Sequence, residues 1–361
     1  MKVLHIVGDI GISNGVMSVI LNYLKNMPES IHFDIAYFVE TKRNWEDELL
    51  KYNVHSYKIQ APGIKSLIFS SSKLFDPVNI GNYQIVHIHL PYLASIYSQK
   101  AKKMGVKAVF VHCHSTWFSL DRRHALRNRI FNLPTKLFSD LQIACGQEAG
   151  KFWYKRNFLN LPNAIDTDKY TFHDKWRLDV RQELKINDAF IIGHIGRVSP
   201  PQKNHLFLIQ IFSEIVKRRT NTILLLVGAE SNQELTDQIQ KLGLERKVLF
   251  LGQRTDVNRI LSAMDVFVFP SLYEGLPVAL VEAQSAGLKC FASDRITKEV
   301  AILDDIEFLP LTNTPEVWAD KILKTQIPYD RNVTQAFSES KWNIKNSCSI
   351  LADMYYKYGK E

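Results

Sequence analysis

Short apolar runs alternate along the first half of the chain with stretches whose apolar residues recur every three or four positions. Residues 2–7 read as a strand and residues 8–15, rich in Gly, Ser and Asn, as a turn. Residues 17–26 read as a helix, with Val19, Ile20, Leu24 and Met27 at helical spacing. Residues 33–39, 85–89, 108–112 and 141–145 repeat the strand signal between helical patterns. Strands alternating with helices predict a parallel sheet, so the first domain is expected to be α/β. The turn-forming stretch 161–168 ends this series, and a second begins with AFIIGHIGR at Ala189. Its strands are expected at 190–195, 222–227, 248–251, 266–269, 289–292 and 307–309, with a helix at 205–218 and a last helix near 343–358.

The pattern therefore predicts two doubly wound parallel-sheet domains, over residues 1–168 and 169–340, followed by a helical segment at 341–361. Length agrees, because single cores stop growing near ~250 to 300 residues and the chain has 361. Open parallel sheets bind ligands beyond the carboxyl ends of their strands, so two facing sheets are expected to share a cleft.

Composition narrows the class. With 46% hydrophobic and 23% charged residues, disordered, collagen-like and coiled-coil readings are excluded. No apolar run reaches the ~18 residues of a spanning helix, and residues 1–8 are too short for a signal peptide. Cys113, Cys145, Cys290 and Cys348 lie too far apart for a disulfide framework or a close zinc pair. A cytoplasmic location is expected. The net charge of +8 is uneven: up to Asp168 there are 20 Lys and Arg against 13 Asp and Glu, and after it 25 against 24. Residues 100–156 hold 12 basic and 3 acidic residues, a stretch that suits anionic lipid, a phosphorylated acceptor or nucleic acid, or is an ordinary solvated surface.

The chemistry concentrates in DVFVFPSLYEGLPVALVEAQSAGLKCFASD, residues 265–294. It reads strand, turn, helix, strand. Pro277 sits where a helix can start, so a helix from about Leu276 to Ala286 would aim free N–H groups and a positive dipole end at an anion. Glu274 and Glu282 are about 12 Å apart if helical throughout, too far to work as a glycosidase pair. Glu274 could bind a polyhydroxylated ligand and Glu282 a ribose-like diol; otherwise both are acids placed for helix stability or solubility. In GHIGRVSPPQKNH, Arg197 offers a fork of donors and Lys203 a point charge, natural partners for a diphosphate; the alternative is a pair of exposed loop cations.

Gly8, Gly11 and Gly15 do not match the dinucleotide fingerprint, and Asn14-Gly15 allows positive φ and close approach to a ligand. His87, His89, His112 and His114 share strand spacing, but no carboxylate or cysteine trio accompanies them, so no metal is assigned. His114, at a strand end, is expected to be a hydrogen-bonding or acid/base group in the cleft.

Taken together, the sequence resembles a retaining glycosyltransferase of family 4, of the bacterial capsule and exopolysaccharide type. The resemblance rests on EGLPVALVE (residues 274–282) as the E-x7-E signature, on Gly196-Arg197 with Lys203, on LPNAID (161–166), on FLGQRTDV (250–257), and on Asn14-Gly15-Val16 where the family shows Gly-Gly. It covers nearly the whole chain. Ala164 stands for the family's Gly, and Pro200-Pro201-Gln202-Lys203-Asn204 for its E-K-G loop.

The resemblance implies the GT-B fold, a donor domain in the second half and an acceptor domain in the first, with the last helix crossing back. It implies that Glu282 binds the ribose of a nucleotide sugar and Glu274 the transferred sugar. Arg197, Lys203 and the backbone of Gly275, Leu276, Pro277 and Val278 would hold the diphosphate. Arg254 would lie near the base, Gly15 near the phosphates, and His114 near the sugar. No cofactor or metal is implied, and front-face attack with phosphate-assisted deprotonation of the acceptor is expected. The partners expected are a nucleotide sugar, a UDP-sugar by preference, a lipid-linked or oligosaccharide acceptor and an anionic membrane surface bound peripherally, with no nucleic acid. An inactive partner subunit and a UDP-sugar epimerase are the alternatives.

Overall fold

The computed structural model describes residues 1–12, 14–61, 75–76, 78, 80–116, 118, 122–132, 135–198, 201–326 and 331–360. Ser13 in the first turn and Pro200 in the loop before Lys203 lie outside the described residues.

The chain divides into two compact units: Met1–Ile165 with Lys341–Glu361, and Asp166–Ser340. The division falls three residues before the expected one. Asp166, which accepts a hydrogen bond from the Lys169 amide at 3.2 Å, caps the short helix Thr167–Tyr170 of the second unit.

The first unit is built on seven parallel strands, β1 (Lys2–Asp9), β2 (His32–Val39), β3 (Ser56–Lys58), β4 (Ile85–Ile88), β5 (Ala108–Cys113), β6 (Leu141–Ala144) and β7 (Leu159–Asn160). They lie in the order β3-β2-β1-β4-β5-β6-β7. The strand order reverses between β1 and β4, the position where open sheets bind ligands. Val3, Leu4, Ile6 and Val7 of β1 are fully covered, as a central strand packed on both faces requires. The Ile344–Lys360 helix packs on this sheet as part of the first unit: Tyr355 is buried, and its hydroxyl lies 2.7 Å from Nδ1 of His87. Ile165 ties the segment in place, donating its N–H to Trp342 and accepting from the N–H of Ile344.

The second unit holds β8 (Phe190–Ile195), β9 (Thr222–Val227), β10 (Val248–Gly252), β11 (Val266–Phe269), β12 (Lys289–Ser293) and β13 (Ile306–Leu309), all parallel, in the order β10-β9-β8-β11-β12-β13. One core gathers Ile192, Leu224, Val268 and Phe291 from one face of the sheet with Phe212 and Trp318 from the helices packed on it. The reversal here lies between β8 and β11, so the loops after these two strands flank the expected ligand position. Just before β11, buried Asp265 accepts from Arg177 at 2.5 Å, from Arg181 at 2.8 Å and from the Ile191 amide at 2.7 Å, locking β11 to β8.

Candidate functional site

In the second unit, β8 delivers Gly196 and Arg197, and β11 delivers residues 270–274. Four hydrogen bonds join the two loops. The Leu272 amide donates to Gln202 O, Gln202 Nε2 to Tyr273 O, Asn204 Nδ2 to Pro270 O, and Lys203 Nζ to Glu274 Oε1 at 2.7 Å. Lys203 also lies 4.5 Å over the Phe269 ring. The Lys203 and Glu274 side chains are 20% and 8% exposed, so the pair is largely shielded from water. Gly196 is required for this arrangement, because a Cβ there would sit 2.7 Å from Lys203 Cγ. Two sequence motifs 71 residues apart thus meet through one ion pair.

Arg197 is exposed beside this pair in sequence, and no ion pair engages it among the described residues. The helix that follows Glu274 runs over Val278–Ser285, with Pro277 as its N-cap residue. It begins two residues later than expected, since Pro277 adopts extended backbone (ψ 98°), and Gly275 and Leu276 belong to the connecting loop. The amides that start the helix are those from Val278 onward, and they keep the character of an anion site. Glu282 lies one turn inside. Its carboxylate accepts from the Tyr170 hydroxyl, and burial raises its pKa above the usual carboxylate range, against the opposing pull of Tyr170 and Lys169. Tyr170 gave no sequence signal; only the fold brings the Thr167–Tyr170 helix onto the Val278–Ser285 helix. Arg254 is held in a fork by Asp256, at 2.8 and 2.7 Å, so its guanidinium is committed to a neighbour two residues away.

In the first unit, Gly15 is the first residue of the Gly15–Asn26 helix, exposed, with open space where a Cβ would stand. Positive φ, which Asn14-Gly15 allows, is not adopted there. Asn14 is extended (φ −82°, ψ 110°) and acts as the N-cap, accepting from the Val16 amide at 3.0 Å. Short polar side chains serve both purposes, and here the capping bond decides.

His114 follows β5, and both its ring nitrogens are engaged: Nε2 with His89 Nδ1 at 2.8 Å, and Nδ1 with Asn163 Oδ1 at 3.0 Å. Burial pushes its pKa down to about 4, so the ring is neutral near pH 7. Of the two roles expected from its position, hydrogen bonding and acid/base, these contacts are of the hydrogen-bonding kind. Asn163, from the LPNAID stretch, is a partner that sequence order could not supply. His5 joins the group because β1–β4 register places it opposite His87, a signal the H-x-H spacing on β4 and β5 did not include. His5, His87 and His89, and likewise His89, His112 and His114, bring three ring nitrogens within 4.8 Å of one another. Yet all these contacting rings lie within 34° of parallel, with His87 over His89 at 4.4 Å and His112 over His114 at 4.1 Å. Lone pairs lie in the ring planes, so face-overlapped rings do not converge on one ion.

These rings make the first unit sensitive to acid. Burial lowers His5 to about 3 and His114 to about 4, and holds His87, His89 and His112 well below the ordinary 6.5. The unfolded chain takes up protons first, so stability is intact above about pH 6.5 and is lost as pH falls from there toward 4. Thermal unfolding of the full chain is expected to shift down over that window by on the order of a few kcal/mol in stability. A midpoint that stays flat between pH 6.5 and 4 would show that the rings are charged or solvated.

Residues 189–325 match the family model described as "Glycosyl transferases group 1". Over 98% of its length the chain is 26% identical to "Putative glycosyltransferase EpsF" of Bacillus subtilis (strain 168), covering 96% of that protein. It is 28% identical over 64% of its length to the Escherichia coli "UDP-Gal:alpha-D-GlcNAc-diphosphoundecaprenol alpha-1,3-galactosyltransferase", covering 62% of it. The fold superposes on Anabaena Alr3699/HepE, solved in complex with UDP and glucose, with a TM-score of 0.73 at 17% identity, covering 100% of this chain and 97% of that one. The family match therefore lies within the second unit, the two Rossmann-like parallel-sheet units have the GT-B fold, and along its length the chain is similar to glycosyltransferases.

Proposed function

We propose that the chain is a retaining, metal-independent hexosyltransferase that takes a sugar from a UDP-sugar and passes it to a lipid-linked or oligosaccharide acceptor. The observation that carries this reading is the joining of the β8 and β11 loops by Lys203 and Glu274, next to the start of the Val278–Ser285 helix. Negative charge grows on a departing diphosphate as the anomeric carbon becomes positive, so fixed cations and amides at the phosphates lower the barrier. Arg197, Lys203 and the backbone from Gly275 to Val278 take that charge, which leaves no step that needs a metal. Glu282 holds the ribose, with Tyr170 orienting its carboxylate; Glu274 holds the sugar; Arg254 and Gly15 flank the nucleotide and its phosphates. Among the relatives, one is named for UDP-Gal and one was solved with UDP and glucose, which supports a uridine donor. Nucleotide release from a panel of UDP- and GDP-sugars, with bacterial membranes as acceptor source, tests the assignment. Acceptor-dependent release from a UDP-hexose is expected. A GDP-sugar preference, or a sugar altered without any acceptor, as an epimerase would give, overturns it.

The acceptor reading draws on the first unit. No helix among the described residues is long and apolar enough to cross a membrane. The Arg122–Asn132 helix instead exposes Leu126 (61%) and Ile130 (54%) one turn apart, with Arg123 and Arg127 along the same stripe. Beside it opens a groove of about 820 Å³ walled by Phe118, Leu126, Phe152 and Trp153 and rimmed by Arg129 and Lys155. Apolar walls under a basic rim suit a lipid tail with an anionic head, and the Escherichia coli relative is named for a diphosphoundecaprenol-linked substrate. Each well-placed basic residue adds ~1 kcal/mol at an anionic leaflet. Sedimentation with phosphatidylglycerol vesicles is expected to weaken with added salt and in Leu126→Glu/Ile130→Glu. Binding indifferent to both would remove the membrane from this proposal.

A further inference from the structure

We propose that His89, backed by His5, is a positioning residue that fixes His114 as a one-way hydrogen-bond donor at the transfer site; this rests on the proposed transferase function and on the place near the sugar that the family resemblance implies for His114.

The direction of each bond follows from one end. Asn163 presents Oδ1 to His114, and an amide oxygen only accepts, so the His114 proton resides on Nδ1. Its Nε2 is then a lone pair and takes the Nδ1–H of His89. His89 Nε2 is in turn a lone pair and takes the Nδ1–H of His5 at 2.9 Å. The chain stops at His5 Nε2, which is buried with no partner among the described residues. The ring planes agree with this order. His5–His89 and His89–His114 lie 18° and 23° from parallel, with centroids 5.2 and 5.1 Å apart, the separations of rings meeting edge to edge across a short N···N bond. Three imidazoles thus form a flat head-to-tail ribbon running from β1 through β4 to the end of β5. His87 and His112 form a second layer on its face, at 4.4 Å from His89 and 4.1 Å from His114. Tyr355, at 2.7 Å from His87, fixes that layer from the Ile344–Lys360 helix. The groups that act electrostatically on these rings are other histidines, and the Leu161 backbone and Asn163 add hydrogen bonds.

The ribbon has a chemical consequence. With Nε2 occupied, His114 has no lone pair with which to take a proton from an attacking hydroxyl. What it can offer, once a ligand displaces Asn163, is the Nδ1–H. The ligand atom that belongs there is an oxygen in its accepting role, such as a sugar hydroxyl oxygen, and the acceptor's proton leaves by another route, toward the departing phosphate.

Nitrogen-15 NMR of the histidine-labelled full chain reads the ribbon without any sugar donor. His114, His89 and His5 are expected as Nδ1–H tautomers at pH 7. His89→Phe is expected to free His114 Nε2, mix its tautomers, raise its titration midpoint toward 6.5 and lower kcat ~10- to 100-fold, as loss of an orienting partner does, with little change in the donor KM. His89→Asn, whose amide N–H stands where Nδ1 stood, is expected to restore the tautomer and most of kcat. An Nε2–H tautomer at His114 in the parent chain overturns the ribbon, whether or not His89→Phe folds. A His89→Phe chain with an unchanged tautomer and pH profile overturns the positioning role. A parent chain that shows the ribbon but transfers no sugar rejects the placement of His114 at a transfer site instead, so the two failures are told apart.

Discussion

Glu274→Gln is expected to lower sugar transfer ~10²- to 10³-fold, the cost of losing one group aimed at transition-state charge, while binding UDP at least as tightly as the parent. The two effects have one origin. The carboxylate neutralises Lys203 at 2.7 Å, so on the proposed reading an incoming diphosphate competes with Glu274 for the ammonium. On that reading, phosphates that take Lys203 release the carboxylate to accept hydrogen bonds from sugar hydroxyls. Glutamine keeps the shape, gives up the charge, leaves Lys203 free for phosphate and is a weaker acceptor for the sugar. Calorimetric titration with UDP, paired with initial rates of nucleotide release, separates the two. Equal turnover, or UDP binding weakened tenfold, would show that Glu274 serves the diphosphate or the fold and not the sugar.

The second large effect is on stability. Asp265→Asn is expected to destabilise the second unit by ~3 to 5 kcal/mol, because removing one member of a buried charge network leaves its partners uncompensated. Asp265 is 5% exposed and is bonded to Arg177, Arg181 and the Ile191 amide. Arg331, close by, is bonded among the described residues to the carbonyls of Leu261, Ser262, Met264 and Ala286, and burial pushes its guanidinium down to about 9. Asp265 is the charge that offsets this group of arginines. Urea unfolding of the full chain, followed by tryptophan fluorescence, measures the loss; a change below about 1 kcal/mol, the range of exposed pairs, would mean that water reaches the network. The loops proposed to hold the donor follow β8 and β11, which this network joins, so on that proposal nucleotide binding weakens with it.

Much of this architecture was legible from apolar runs. Residues 190–195, 222–227 and 266–269 and the helix at 205–218 were expected where β8, β9, β11 and the His205–Arg218 helix stand, because central strands of a parallel sheet are covered on both faces and read as unbroken apolar segments. β3 and β7 escaped notice for the converse reason. They are the two edges of the first sheet, three and two residues long, with half-buried polar positions such as Ser56 and Asn160. The E-x7-E stretch disclosed its turn and helix but not its ion pair, since nothing in local sequence says that Lys203 lies against Glu274. Asn14 and His114 were left open on the same ground. A residue's type and place allowed left-handed backbone or a tight turn at Asn14, and hydrogen bonding or acid/base chemistry at His114, while the N-cap bond and the His89 and Asn163 contacts appear only in the fold.

The return of residues 341–360 to the first sheet reverses the order in which a nascent chain would finish its parts. Most proteins complete their amino-terminal domain while the rest is still being made. Here the cover over His87 and Phe110, supplied by Tyr355 and Tyr358, is made only after the strands of the second unit. Until then His87 and Phe110 lack those rings, and the first unit waits for the second to be synthesised before it is sealed there.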